Sequence, residues 1–392
     1  MPLRLCRQQQ LVDENRVDTA DVTDKAGRPQ APDQAPDGDI LLGIEGAGAV
    51  VTLNRPKALN ALTAAMRARL ADAVPRWSRD PQVYGVVIAS SSDGTFCAGG
   101  DVREMTDWGK SRMAEARRSL AAEYALNWLL DCFTKPTVSL MNGAVMGGGV
   151  GITLYGTHRV AGEAYRFAMP ETGIGLFPDD GVSHVFAQMP DAIGMYLALT
   201  GRSLGPADAY HLGLVTHCIP AAQFGEIRAA ICDADPVDPV LDTRHLDPGP
   251  GELEGLRAAI GRCFSADSVE GILARLVAET GAAASWAEAV LAELARRSPL
   301  SLKITHRHAR QVRGLDLRAV LINDFRLACR FLEGQDFYEG VRAFLVDRDR
   351  APRWQPERLQ DVTEAMLDPY FAPLGADELQ LASRTELQGF TR

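Results

Sequence analysis

A run of glycines between residues 143 and 151 limits the fold more than any other feature of the sequence. In the stretch GAVMGGGVG, five of the nine positions are glycine. Glycines at this density indicate a backbone that turns sharply or approaches another group closely. The run follows Thr137–Leu140, a short apolar segment typical of a buried strand. It therefore predicts a strand-to-helix turn whose free N–H groups bind an anionic oxygen. Close packing between a helix and a strand would also account for it.

Strand and helix signals alternate through the first half of the chain. Short β-branched runs predict strands, and apolar residues at a helical spacing predict the helices between them. The alternation is typical of an α/β unit with glycines at its strand-to-helix turns. The predicted strands are two within 39–55, one at Val83–Ala89 and one at Thr137–Leu140, and the predicted helices are 59–79, 112–133 and one that begins at Gly147.

The strand signals fade after about residue 220. Residues 221–250 are rich in Asp and Pro and are interpreted as a linker, whereas residues 1–38 are polar and predict a disordered or loosely attached arm. We therefore expect three parts: a flexible arm at 1–38, an α/β core at 39–225 and a helical region at 226–392. Helical spacing within the last part predicts helices at 256–264, 269–279, 285–296, 301–312 and 317–332.

The composition excludes several classes of function. The 392-residue chain has a formal net charge of -10, which repels nucleic acid and anionic membranes. No apolar run approaches the length of a membrane span, and no signal-peptide core is present. The seven cysteines lack a CxxC motif, which favours free thiols over disulfides or a zinc site. We expect no metal and no nucleic-acid or membrane partner, and a cytoplasmic protein, with the mitochondrial matrix as the less favoured location.

A second glycine turn occurs in the segment TFCAGGD, residues 95–101, after a predicted strand. Alone, the pair Gly99 and Gly100 favours a tight turn. Together with the glycines at 147–149, however, it offers two backbone N–H donors from separate turns. Two such donors form an oxyanion hole for the negative oxygen that develops on a carbonyl, and losing one donor typically costs about 3 kcal/mol. The pair of turns therefore predicts an enzyme that activates a carbonyl group.

Three acids stand in an apolar loop at residues 167–181, FAMPETGIGLFPDDG. They are Glu171, Asp179 and Asp180. A carboxylate in an apolar loop is desolvated, which raises its pKa toward the range useful for a general base. A surface turn with exposed acids would be the alternative explanation.

Together these segments resemble the crotonase (enoyl-CoA hydratase/isomerase) superfamily, and the C-terminal part resembles its 3-hydroxyisobutyryl-CoA hydrolases. The resemblance covers about residues 39–380. It implies an α/β fold, a crotonase-like ββα spiral core with a helical C-terminal portion, and coenzyme A bound across the core. The matching segments are LNRPKALNAL at 53–62, FCAGGDV at 96–102, KPTVSLMNGAVMGGGVG at 135–151, AMPETGIGLFPDDG at 168–181, SPLSLKIT at 298–305 and GQDFYEGVRAFLVDRDRAPRW at 334–354.

The resemblance also implies a reaction and residues for it. The expected reaction is hydrolysis of a short 3-hydroxyacyl-CoA, such as 3-hydroxyisobutyryl-CoA or 3-hydroxypropionyl-CoA, as in valine catabolism. Coenzyme A would be part of the substrate, and no separate cofactor is expected. The implied residues are Gly100 and Gly148 for the oxyanion hole, Glu171 and Asp179 as the catalytic acidic pair, Glu123 at the substrate, and Lys57 and Ala58 beside the coenzyme A nucleotide.

Two positions differ from the resembling proteins and bear on the alternative functions. Resembling hydratases carry an acid at the position of Gly151, so its absence argues against the alternative of an enoyl-CoA hydratase or isomerase. Asp180 replaces the small apolar residue usual in the hydrolases, and we favour Asp179 because it directly follows Phe177 and Pro178. A non-catalytic interaction protein would be expected to have lost an acid or an oxyanion glycine. The sequence leaves open whether the chain forms a homo-oligomer.

Overall fold

The fold begins with a hairpin that opens a six-stranded sheet. The computed structural model describes residues 38–92 and 94–389, so the arm predicted for residues 1–38 lies outside it except for Gly38. Ile40–Glu45 pairs antiparallel with Gly48–Leu53, and Gly46 between them has a φ of +54°. The strands of the described residues are β1 Ile40–Glu45, β2 Gly48–Leu53, β3 Gly85–Ser90, β4 Thr95–Cys97, β5 Thr137–Met141, β6 Ala144–Met146, β7 His158–Ala161, β8 Arg166–Ala168 and β9 His217–Cys218.

The chain alternates between this sheet and a smaller one. The large sheet has the order β1-β2-β3-β5-β7-β9, and β4, β6 and β8 form the small sheet. Beyond the hairpin, the pairing is parallel in both sheets. In each pair β3–β4, β5–β6 and β7–β8, one strand enters the large sheet, the next enters the small sheet, and a helical segment follows. This repeat confirms the predicted ββα spiral core. The strands of the small sheet have three residues each, too few for a period to be recognised.

Helices dominate the second half of the chain. The five helices predicted between residues 256 and 332 are confirmed to within two residues at each end. None of the described helices is long and apolar enough to cross a membrane. The helices are α1 Ala64–Arg79, α2 Val102–Trp108, α3 Met113–Asp131, α4 Gly148–Gly151, α5 Val182–Phe186, α6 Ile193–Thr200, α7 Pro206–His211, α8 Phe224–Cys232, α9 Val237–Asp242, α10 Arg257–Phe264, α11 Val269–Ala278, α12 Ala284–Leu294, α13 Pro299–Gln311, α14 Leu317–Glu333, α15 Asp336–Val341, α16 Glu364–Phe371 and α17 Arg384–Gly389.

Side-chain caps explain where several of these helices begin. The side chains of Ser268, Ser298 and Asp316 accept hydrogen bonds from backbone N–H groups three residues later. Each bond satisfies a donor that the first turn of a helix leaves free. Because Ser and Asp also occur in loops, these starts became recognisable only through the apolar spacing that follows them.

The prediction of a linker at residues 221–250 was wrong. The segment contains α8 and α9, and their apolar residues join a buried cluster with strands of the large sheet. Pro236 caps α9 at its N-terminus, and Pro239 lies in its first turn, where the missing N–H has no intrahelical acceptor to lose. Proline and aspartate therefore mark the start of a helix here.

A second hydrophobic core joins the two halves of the chain near residues 167–181, which we call the acid loop. It packs α3 against α14 and includes Phe177, a residue of that loop. The Phe177 ring stacks on Phe331 of α14, with 5.5 Å between the ring centroids. The helical region thus packs directly on the segment that carries the predicted acids.

Candidate active site

A cavity of about 500 Å³ lies where the glycine turns, the acid loop and the C-terminal helices meet. It collects side chains and backbone from segments far apart in the sequence. Every residue that the sequence assigned to the site lines this cavity, namely Lys57, Ala58, Gly100, Glu123, Gly148, Glu171 and Asp179. Asp180 lines it as well.

The two glycine turns meet because β4 and β6 are neighbouring parallel strands. The turns follow the carboxyl ends of these strands and therefore lie at one edge of the small sheet. A Cβ placed on Gly148 would lie 3.2 Å from the Gly100 nitrogen. Gly148 is the first residue of α4, so its N–H has no acceptor within the helix. The structure brings the two predicted donors together, and their role as an oxyanion hole stays a prediction.

Gly147 fixes the shape of the second turn. Its φ of +45° and ψ of -125° belong to backbone conformations that residues with a Cβ rarely adopt. A Cβ on Gly147 would also lie 3.2 Å from Oε1 of Glu171. The absence of a side chain therefore allows the Glu171 carboxyl group to lie against the turn.

Glu171 is the acid with the fewest partners in the cavity. It begins a short 3₁₀ turn, Glu171–Ile174, and its side chain is buried. Among the described residues, its buried Oε2 has no hydrogen-bond partner. The pKa of Glu171 is raised to about 8, mainly by burial and also by nearby Asp180, against the opposing effects of a hydrogen bond from its own backbone and of Arg297. An acid with this pKa is suited to exchange a proton near neutral pH.

Asp179 and Asp180 belong to one tight turn, which we call the acid turn (residues 179–182). The Val182 N–H donates to the Asp179 carbonyl oxygen at 3.0 Å. The φ angles are +56° at Asp180 and +74° at Gly181. Positive φ at both central positions is typical of a type I′ turn, for which Asp-Gly is a preferred pair. This turn gives a local reason for Asp180, where the resembling hydrolases have a small apolar residue.

The two aspartates of the acid turn have different partners on α3. The Tyr124 hydroxyl donates to Oδ2 of Asp179, and the Asn127 amide donates to Oδ1 of Asp180, each at 2.7 Å. Burial raises the pKa of both aspartates well above the usual range, and the neighbouring carboxyl groups raise it further. The acid turn therefore holds two carboxyl groups that retain protons more strongly than exposed aspartates.

The space beside Gly151 is occupied. A Cβ on Gly151 would lie 2.8 Å from Oδ1 of Asp180 and 2.9 Å from Oδ1 of Asn127. An acid at position 151 would therefore collide with this pair. The sequence indicated that a carboxyl group was missing at this position, and the structure places the carboxyl group of Asp180 beside it.

Glu123 lies between the two glycine turns and has a buried arginine as its partner. A Cβ on Gly148 would lie 2.9 Å from its Oε1. Arg67 places Nη1 3.3 Å from the same oxygen and donates to Ser119 through Nη2 at 2.7 Å. Sequence analysis missed Arg67, because a cation within an amphipathic helix normally indicates an exposed face. Its 4% exposure shows the opposite.

Four cations also line the cavity, and the part of the lining that they form, which we call the basic mouth, consists of Arg55, Lys57, Arg103 and Arg348. Lys57, Arg103 and Arg348 are exposed, whereas Arg55 is paired with Asp101 at 2.7 Å. These cations supply the local positive charge that an acidic chain needs in order to bind a polyanion. Arg348 comes from the C-terminal region, and no local pattern indicated that it would line the cavity.

Comparison with known proteins finds matches that cover most of the chain. The sequence profile described as enoyl-CoA hydratase/isomerase matches residues 48–371. A protein named 3-hydroxyisobutyryl-CoA hydrolase, mitochondrial, from Xenopus tropicalis is 40% identical over 355 residues, which cover 88% of this chain and 91% of the relative. A protein named 3-hydroxyisobutyryl-CoA hydrolase 1 from Arabidopsis thaliana is 36% identical over 370 residues, 91% of this chain and 98% of the relative.

Two solved structures share the fold over most of the chain. One, described as a carnitinyl-CoA dehydratase from Mycobacterium thermoresistibile, has a TM-score of 0.82 and 37% identity, and the match covers 88% of this chain and 99% of the other. The second, described as an enoyl-CoA hydratase from Rhodobacter sphaeroides, has a TM-score of 0.82 and 36% identity, with coverage of 88% and 100%.

Proposed function

The chain belongs to the enoyl-CoA hydratase/isomerase family, and from this premise we propose that it hydrolyses the thioester of a short 3-hydroxyacyl-CoA. The substrate proposed first is 3-hydroxyisobutyryl-CoA, as in valine catabolism, and 3-hydroxypropionyl-CoA is the second. The products are the free hydroxy acid and coenzyme A, which is part of the substrate. Relatives that bear the hydrolase name and match about nine tenths of this chain support this choice.

One observation carries the proposal. Glu171 is buried in the cavity, against the glycine turn, and its Oε2 has no hydrogen-bond partner among the described residues. A buried carboxyl oxygen without a partner is costly unless a ligand or water completes it. Glu171 is therefore the group placed to act on a carbonyl carbon whose oxygen lies at Gly100 and Gly148.

The proposed reaction uses the two glycine N–H groups and Glu171 together. The thioester oxygen accepts hydrogen bonds from Gly100 and Gly148, which stabilise the negative charge that develops on it. Glu171 then either attacks the carbonyl carbon to form a mixed anhydride or removes a proton from an attacking water. In both routes the carbon–sulfur bond breaks, the coenzyme A sulfur takes up a proton, and water supplies the oxygen of the product acid.

Asp179 accounts for the preference for a 3-hydroxyl group. It lines the cavity, and its Oδ2 accepts a hydrogen bond from Tyr124. We assign to Asp179 a hydrogen bond from the 3-hydroxyl of the acyl group. An acyl group without that hydroxyl leaves a buried polar group unpaired, and sites of this kind discriminate strongly.

The test is release of free thiol from (S)-3-hydroxyisobutyryl-CoA by the purified protein. Glu171→Gln keeps the size of the side chain but removes the ionisable group, so it should abolish turnover while the protein stays folded. Release that disappears in this variant supports the hydrolase. Near-normal release in the variant would exclude Glu171 as the acting group, and no release by the wild type would exclude the proposed substrate.

Hydration of a 2-enoyl-CoA is the second candidate, and Asp180 is the observation that favours it. Its Oδ1 lies 2.8 Å from the place where a Cβ of residue 151 would stand, so a carboxyl group does reach the region where the resembling hydratases carry an acid. Crotonyl-CoA hydration, followed by loss of the enoyl absorbance, separates the two candidates. Hydration without thiol release would make Asp180 the second acid of a hydratase.

The thiols and the relatives bear on the location proposed for the enzyme. The six cysteines in the described part of the chain are buried and free, in agreement with a reducing compartment. The Xenopus relative is named as mitochondrial. For this chain, location in the cytoplasm remains a prediction, as does assembly into a homo-oligomer.

A further inference from the structure

The acid turn keeps some backbone strain, although Asp-Gly is a favoured pair for its conformation. Asp180 has a positive φ, which costs free energy for a residue with a Cβ, even though Asp tolerates it better than most. The turn is also buried, so its N–H groups need acceptors within the protein. The Gly181 N–H finds one in Oδ2 of Asp324, at 2.7 Å. This bond joins the turn to α14, which lies 143 residues later in the chain.

Asp324 is itself held in place by a second buried residue. Its exposed fraction is 0%, and its Oδ1 lies 2.8 Å from Nε2 of His308 on α13. The His308 ring is also buried and contacts Phe177 edge-on, with 5.6 Å between the ring centroids. His308 therefore contacts the Phe177 ring just before the acid turn, and Asp324 accepts a hydrogen bond from the Gly181 N–H within the turn.

Both oxygens of the Asp324 carboxyl group are committed to these two contacts. A carboxyl group without solvent is costly unless each oxygen has a partner, so its position is tightly defined. Neither Asp324 nor His308 lines the cavity. Any effect of Asp324 on the reaction must therefore pass through the turn that it holds.

We propose that Asp324, oriented by His308, is a positioning residue that fixes the acid turn so that Asp179 and Asp180 face the cavity. The Tyr155 hydroxyl contributes from the other side, because it donates to the Asp180 carbonyl oxygen at 2.5 Å. The inference rests on the proposed function for the role of the acids, but the contact itself is independent of it. It also gives the packing of α13 and α14 on the acid loop a role in the reaction.

The experiment compares Asp324→Ala with Asp324→Asn. Alanine leaves the Gly181 N–H without an acceptor, and a misplacement of catalytic groups by about 1 Å lowers rates on the order of a hundredfold. We therefore expect kcat for 3-hydroxyisobutyryl-CoA to fall by about that factor in Asp324→Ala, with little change in KM because the basic mouth is untouched. Asparagine keeps an acceptor oxygen for the Gly181 N–H and presents an N–H to His308, whose neutral ring accepts it at Nε2 when the ring proton is on Nδ1, so kcat should recover to within about tenfold of the wild type.

Asp208 provides a matched control. It is also buried, and it accepts hydrogen bonds from the N–H groups of Glu252 and Leu253 at 3.1 and 3.0 Å, but it does not line the cavity. Asp208→Ala should lower the melting temperature as much as Asp324→Ala does and leave kcat near the wild-type value. An equal loss of kcat in both variants would reduce Asp324 to a residue of general stability and overturn the proposal.

Hydrogen exchange separates this inference from the proposed function. Peptides covering residues 177–183 should exchange faster in Asp324→Ala than in the wild type, and should be unchanged in Asp208→Ala. Unchanged exchange in Asp324→Ala would overturn the positioning role, whatever the activity. A wild type without thioester hydrolysis would instead refute the proposed function, and the exchange result alone would then decide whether Asp324 holds the turn.

Discussion

The two ends of the cavity differ in charge and in exposure to water. The inner end contains the buried carboxyl groups of Glu123, Glu171, Asp179 and Asp180 beside the glycine turns. The mouth contains four cations, of which Lys57, Arg103 and Arg348 are exposed. Since the net charge of the chain is -10, the positive charge of the mouth opposes the overall field.

The difference separates two kinds of electrostatic effect. At the inner end, exclusion of water shifts pKa values and strengthens each hydrogen bond. A change there should therefore alter the chemical step. At the mouth, water and salt screen each charge, so a change should alter binding and only modestly. We therefore expect variants of the inner end to lower kcat by orders of magnitude and variants of the mouth to raise KM by small factors.

Gly148→Ala should give the largest effect among the variants that keep every acid. The added methyl group would stand 3.2 Å from the Gly100 nitrogen, in the space between the two N–H donors. The thioester oxygen would be displaced from the donors, and kcat should fall about 10²- to 10³-fold. Steady-state thiol release measures the loss.

Gly225→Ala is the control for this substitution. Gly225 lies in α8, and a Cβ there meets no atom within 4 Å. Alanine favours a helix over glycine by about 1 kcal/mol, so this variant should be as active as the wild type and slightly more stable. If Gly148→Ala retains wild-type kcat while it stays folded, the oxyanion oxygen does not bind between these turns.

The inner end also shows how far sequence reasoning reaches. Both glycine turns and the acids Glu171 and Asp179 were found from local patterns and from the family resemblance, and the structure places them in one cavity. Arg67 and Arg348 were missed because burial of Arg67 and the position of Arg348 depend on contacts between distant segments. The proximity of Asp180 to Gly151 was not predicted either, because the two residues are far apart in the sequence and meet only in the folded chain.

The fold, too, was predictable only where the pattern in the sequence is local and long enough to be recognised. The longer strands and the helices of the C-terminal region were predicted because their apolar periods extend over several turns or residues. The small sheet was missed because strands of three residues carry no period. The prolines of residues 221–250 led to the prediction of a linker, although Pro236 and Pro239 lie at the start of a helix. Pro interrupts the interior of a helix but is tolerated in its first turn, so its presence alone does not distinguish the two cases.

The two acids of the acid turn should differ in their effect on substrate preference. Asp179→Asn should lower kcat/KM for 3-hydroxyisobutyryl-CoA by about 10- to 100-fold, because the amide replaces one of the two oxygens that accept hydrogen bonds from Tyr124 and from the 3-hydroxyl. The loss should be smaller for isobutyryl-CoA, which lacks that hydroxyl, so the preference between the two substrates narrows. Asp180→Asn, in the same turn, should leave the preference unchanged. A narrower preference in the Asp180 variant alone would transfer the assigned role to Asp180.

Burial of Glu171 should be visible in the pH dependence of stability. Its pKa is raised to about 8 by burial, so the folded protein binds a proton that the unfolded chain has released. The wild type therefore loses stability as pH rises from about 4.5, the unfolded value, to about 8, and Glu171→Gln does not share this loss. The melting temperature of Glu171→Gln should equal that of the wild type near pH 4.5 and exceed it by several degrees at pH 9. A constant difference across this range would mean that the Glu171 pKa is not shifted by folding.

Removal of an exposed cation at the mouth should have the smallest effect. Lys57→Ala and Arg348→Ala should each raise KM by up to about fivefold at low salt and leave kcat unchanged, because a single screened charge contributes about 1 kcal/mol or less. The increase should shrink as salt is added, since screening weakens the charge in the wild type too. Arg313→Ala removes the same charge from an exposed position that does not line the cavity, and it should leave KM unchanged. If Arg313→Ala raises KM as much as Lys57→Ala, the mouth acts only through net charge; if Lys57→Ala lowers kcat instead, the two ends of the cavity are not electrostatically distinct.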